Sequence, residues 1–196
     1  MMDKNTRLER NLMVVEAIAA DLKEYLLSDT LFWPLSRPRA GDYVLPKGTL
    51  GGLFLRLHRL NAFRDALSDE QQRRLNEATS RVEEELARWG VQAREKATRE
   101  ARSRADSWHA YAAEAADDPR RYRPEYPTQA EGRTALDLLL EFLGGAADEA
   151  LVGRVASADR TLRAAAEGCD FVWDDWQAPA FPQDRFWWLY VEPRVA

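Results

Sequence analysis

Between Leu75 and Ala115 the apolar positions hold a single helical phase: Leu75, Ala78, Val82, Leu86, Trp89, Ala93, Ala97, Ala101, Ala105, Trp108, Ala112 and Ala115. Every step is three or four residues, the recurrence of one helix face and incompatible with the two-residue alternation of a strand. An unbroken helix carrying that stripe, from Ser68 to Asp117, is about 70 Å long. A compact chain of this length has a radius of gyration of about 16 Å, so such a helix overhangs its own core. Gly90 is the obvious kink point, yet the stripe stays in phase across it; only if Gly90 bends the chain sharply does the second half fold back and pack its alanines inside.

The same periodicity sets out the other helices. Leu8, Leu12, Val15, Ile18, Ala19, Leu22, Tyr25 and Leu26 share a face and predict a first helix over Lys4 to Leu27. Pro34 forbids its continuation nearby. The loop from Leu31 to Gly48 holds Phe32, Trp33, Leu35 and Tyr43, too much apolar surface for a linker. Thr49 is a candidate N-cap for a second helix to about Leu67, and Gly51 and Gly52 in its first turns suggest close approach by a bulky group such as Trp33. Ser68 with Gln71 forms a capping box that opens the long third helix, and Asp117, Asp118 and Pro119 stop it. A second box, Thr128 with Glu131, opens a helix to about Leu143, and a last helix runs from about Ala147 to Glu167 with Gly168 closing it.

The expected fold is all-α: one helical domain over residues 1–196, a bundle of four to five helices with one unusually long central helix. The aromatic-rich, irregular segment 170–196 packs over the bundle. Two short β-prone runs, Asp42–Leu45 and Trp187–Val191, could pair as a minor ribbon.

Composition narrows the function classes. The net charge of −5 and pI near 5.2 argue against a general nucleic-acid binder. No run is long and apolar enough for a membrane span, and charged residues punctuate the N-terminal apolar stretch that a signal peptide would need. The single Cys169 excludes an internal disulfide framework and suits a reducing cytoplasm. No cofactor or metal is implied: with only His58 and His109, three-histidine zinc sites and HExxH sites are excluded. The glycines of Pro46–Gly52 lack the P-loop order, since the lysine precedes the glycine.

Two readings remain. The first is a non-enzymatic protein-binding module, an adaptor, assembly factor or small subunit of a cytoplasmic complex. It uses the alanine seam Ala93, Ala97, Ala101 and Ala105, flanked by Arg94 and Arg102, to seat a protein partner or a second copy as a homodimer. The second is a small-molecule binder whose tryptophans Trp173, Trp176, Trp187 and Trp188 line a pocket, with Asp174 or Asp175 selecting a cationic ligand. No catalytic residues are nominated.

Overall fold

A computed structural model describes residues 3–195, and the chain in it is all-α: seven α-helices among the described residues, with strands confined to two short ribbons. The backbone gathers into two compact units, Met1–Glu100 and Ala101–Ala196.

In the first unit, α1 (Lys4–Leu27) has the bounds its periodicity predicts. Asp3 caps it, accepting from the Thr6 amide at 3.0 Å. Leu8, Leu12, Val15 and Leu22 of α1, Leu50, Leu53 and Leu60 of α2 (Leu50–Ala62), and Leu75 and Val82 of α3 (Asp69–Arg88) form the core, all at most 2 % exposed. α1 packs along both partners.

The loop between α1 and α2 is ordered by its own chemistry. Trp33 and Gly48 exchange backbone hydrogen bonds at 2.9 Å in each direction, closing the intervening residues into a lobe. Asp21 of α1 receives the Trp33 indole N–H at 3.1 Å, the Ser36 amide at 2.6 Å and the Ser36 hydroxyl at 2.5 Å. Within the lobe β1 (Arg39–Ala40) pairs antiparallel with β2 (Tyr43–Val44), Arg39 opposite Val44. Gly41 takes φ +59 at the turn, a conformation that favours glycine. The ribbon expected between Asp42–Leu45 and Trp187–Val191 is therefore not formed, because a local turn supplies the first run with a nearer partner.

The capping box at Ser68 and Gln71 is present as expected. The single long helix is not. Trp89 leaves the helical region (φ −112, ψ 37), so α3 ends at Arg88 and α4 (Gly90–Asp117) begins immediately after. Hydrogen bonds from Trp89 to Glu85 and from Ala93 to Trp89 carry the ladder across the break. This continuity explains why the apolar stripe keeps its phase through it.

In the second unit the remainder of α4 is joined by α5 (Pro119–Tyr122), α6 (Tyr126–Leu143) and α7 (Glu149–Ala165). α6 starts before the expected Thr128 box, with Pro127 in the first turn, where a missing N–H leaves nothing unsatisfied. Gly168 does not cap α7. Ala166–Gly168 becomes β3, antiparallel to β4 (Val191–Pro193). Glu167 and Glu192 face each other in that ribbon, and Arg123 ties both, reaching Glu167 at 3.1 Å and Glu192 through Nε at 3.0 Å.

The aromatic segment is packed as expected. Trp173, Phe181, Phe186 and Trp188 meet in successive edge-to-face contacts of 5.2, 5.2 and 5.7 Å. Polar handles fix it to α6: the Trp188 indole donates to the Thr134 hydroxyl (2.9 Å), the Tyr126 hydroxyl to the Trp188 carbonyl (2.6 Å) and the Trp173 indole to the Pro127 carbonyl (3.0 Å).

Candidate functional site: an arginine-lined cleft over α1

Between α1 and α3 the small side chains of Ala19, Ala20 and Ala78 line a cleft. The cleft, about 500 Å³, is walled by Glu16, Arg37, Arg74, Glu77 and Arg81. A second cleft of about 300 Å³ adjoins it, sharing Glu16, Ala20 and Arg37 and adding Met13, Ala17, Arg39, Ala40 and Leu45. One is charged along its length. The other has an apolar wall and an arginine rim.

The charges are not equally engaged. Glu16 grips Arg74 with two hydrogen bonds (2.7 and 2.6 Å) and Glu9 adds a third at 2.8 Å. The Gln71 side chain also donates to Glu9 at 2.6 Å. Burial pushes the Glu9 carboxyl up, but the donors from Gln71 and Arg74 outweigh it and hold the group below the usual carboxylate range. Glu77 is taken by Arg73 on its far side. Arg37, Arg39 and Arg81 make no hydrogen bond or ion pair among the described residues, and all three side chains are exposed. The groove thus presents three exposed guanidinium groups in a chain whose net charge is −5, with Arg37 engaged only through the electrostatic pull of its charge on Asp21.

The alanine seam lies elsewhere and is already covered. Ala93, Ala97, Ala101 and Ala105 are each 0 % exposed. The first part of α4 is held to the end of α1 and the start of α2 by Lys96 and Glu100. The second part is held to α7 by Arg102 with Asp148 (2.7 Å), Asp106 with Arg154 (2.8 Å) and Trp108 with Asp159 (2.8 Å). Arg102 is therefore spent within the chain, whereas Arg94 is exposed. The seam expected to seat a partner offers no surface in this conformation.

The tryptophans expected to form a cation pocket have their faces filled by the protein's own cations. The Arg133 guanidinium sits 3.8 Å from the centre of the Trp188 ring, and that of Arg163 sits 4.0 Å from Trp187. Trp173 packs edge-on against Phe171 and Phe181. Asp174 precedes a short 3₁₀ turn (Asp175–Ala180) that carries an exposed Asp175 and a half-buried Trp176. Arg133, 5 % exposed, also binds Asp159 through Nε (3.1 Å) and Nη2 (2.9 Å), so Trp188, the one buried member of the expected cage, belongs to a polar cluster inside the second unit.

Arg37, Arg39 and Arg81 were not legible as a group, since 44 positions separate the first from the last. One signal existed: Arg74 and Arg81 are seven apart and so share a face of α3. Two other features bear on chemistry. Burial pushes the Cys169 thiol up to about 11, with Glu192 and Asp170 adding to the effect, so it is a poor nucleophile at neutral pH. No three His, Cys, Asp or Glu side chains are grouped as metal ligands among the described residues. No described helix is long and apolar enough to cross a membrane. Searches of protein-family models, curated proteins and solved structures find no match to this chain.

Proposed function

We propose that this chain is a non-enzymatic protein-binding module, an adaptor, assembly factor or small subunit of a cytoplasmic complex, that grips its partner through the cleft over α1. The observation that carries this reading is the set of three exposed guanidinium groups, Arg37, Arg39 and Arg81, around a floor of small residues; none is tied up in a hydrogen bond or ion pair among the described residues, although Arg37 also acts through its charge on Asp21. Arginine forks are suited to recognising carboxylates, and unpaired ones at a concave surface are free to do so. The single free thiol, without a disulfide partner, fits a reducing compartment.

The test is site-specific photocrosslinking in the native host. A photoreactive residue replaces Ala20, which is exposed and lines both clefts, and a control probe replaces Arg160 of α7. The expected result is a discrete protein adduct from position 20 that position 160 does not give, and that disappears in the Arg37→Glu, Arg81→Glu variant. Identical adducts from both positions, or an adduct indifferent to the two charge reversals, would refute the reading.

A further inference from the structure

We infer that the segment this cleft takes is an extended acidic peptide carrying aliphatic side chains beside its carboxylates; this rests on the binding-module reading above. Three features point to that chemistry. Arg37 stands where the two clefts meet, because it lines both. Arg81 lines the larger cleft and Arg39 the smaller, so exposed guanidinium groups are available along the whole groove. A planar guanidinium takes a carboxylate through two parallel hydrogen bonds, which fixes orientation as well as charge.

The smaller cleft adds the apolar half of the specificity. Met13, Ala17, Ala40 and Leu45 form its wall, with Leu45 8 % exposed and fixed within the loop by its amide bond to the Pro38 carbonyl at 2.9 Å. An aliphatic side chain fits this wall while the neighbouring carboxylate turns to Arg37 or Arg39. The volumes, about 500 and 300 Å³, suit several side chains of an extended segment.

The rim also says what is rejected. Glu16 and Glu77 stand beside the arginines, so a ligand carrying dense negative charge meets repulsion with the attraction. The chain is acidic overall, which disfavours a nucleic-acid backbone further. A peptide that spaces its carboxylates with apolar residues avoids those glutamates.

Fluorescence anisotropy with the full chain decides it, using a labelled peptide of alternating Glu and Leu. The expected result is saturable binding that weakens with salt. It falls about tenfold for each charge lost in Arg37→Gln and Arg81→Gln. The variants leave the circular dichroism spectrum unchanged, since both side chains are exposed. Replacing Glu by Lys in the peptide abolishes binding, and replacing Leu by Ser weakens it. No binding of the Glu–Leu peptide, binding indifferent to both arginine variants, or equal binding of a single-stranded oligothymidine would overturn the inference. A photocrosslink at position 20 that depends on Arg37 and Arg81 but is not competed by the Glu–Leu peptide would overturn the peptide class alone and leave the binding-module reading standing.

Discussion

Lys96 and Glu100 stand one turn apart on α4 and serve opposite ends of two other helices. The Lys96 ammonium donates to the carbonyls of Ser28 (2.6 Å) and Thr30 (2.9 Å), just beyond the last turn of α1. Both carboxylate oxygens of Glu100 accept from the Gly51 amide at 3.2 Å, in the first turn of α2. A cation at a helix C-terminus and an anion at an N-terminus are the signs that complement the helix dipoles. Lys96 is 2 % exposed and Glu100 0 %. The glycine-started helix α2 therefore takes its anion from within the chain.

Removing either charge should loosen the hold of α4 on the first unit. Lys96→Met takes the donor from two part-buried carbonyls and is expected to destabilise the protein by about 1 kcal/mol. Glu100→Gln keeps the volume and an acceptor but loses the charge, and should cost about 1 kcal/mol. Urea unfolding followed by circular dichroism measures both. Midpoints equal to that of the parent protein would show that these contacts contribute nothing.

Arg133 should be the least replaceable side chain of the second unit. It joins Asp159 of α7 to the Trp188 ring, and Asp159 also receives the Trp108 indole. Arg133→Leu leaves the part-buried Asp159 carboxylate with the Trp108 indole as its donor and no cation, a change expected to cost about 2 kcal/mol. Arg133→Lys should recover little, because an ammonium offers neither the two-pronged geometry nor the flat face. Thermal unfolding together with near-ultraviolet circular dichroism, which reports the tryptophan packing, will show it. A loss below about 1 kcal/mol would mean the site is solvated.

The lobe between α1 and α2 should be sensitive to acid. Burial pushes the Asp21 carboxyl up, but hydrogen bonds from the Ser36 side chain and backbone and from the Trp33 indole outweigh it and hold the group below its ordinary value of 3.8. The unfolded chain then binds the proton more readily, so the Asp21 contribution is full above about pH 4 and is lost as pH falls through the folded value. Asp21→Asn should lower stability at pH 7 and flatten the fall between pH 5 and about pH 2. A variant whose stability runs parallel to that of the parent across this range would contradict the assignment.

Local rules were legible at several helix ends, though not at Thr128 or Gly168. α1 has the bounds read from its stripe, Ser68 and Gln71 cap α3, and α4 stops at Asp117 before Asp118 and Pro119. Gly90 marked the place of the break at Trp89, but the sequence did not decide that the helix stops there, because the hydrogen-bond ladder and the apolar phase both pass through it. Nor did the alanines say which way they face, since a small side chain suits a close internal contact and a close external one equally. Their neighbours held the clue: Lys96 and Glu100 lie on the same stretch of face as Ala93, Ala97 and Ala101, and read as solvated charges until their carbonyl and amide partners are known. Gly51 and Gly52 likewise serve something other than Trp33. The Gly51 amide meets Glu100, and a Cβ at Gly52 would fall 2.9 Å from the Thr49 hydroxyl that caps the helix.

Binding through the cleft and burial of the seam are tested most directly together, by comparing Arg37→Glu, Arg81→Glu with Ala97→Glu in one experiment that reads thermal stability and the photocrosslink from position 20. The expected result is a double variant that melts with the parent protein and loses the crosslink, beside an Ala97→Glu variant destabilised by more than about 4 kcal/mol, since it forces a charge into a position with no exposed surface. The contradicting result is the reverse: an Ala97→Glu protein that stays folded and loses its partner, while the double variant keeps it.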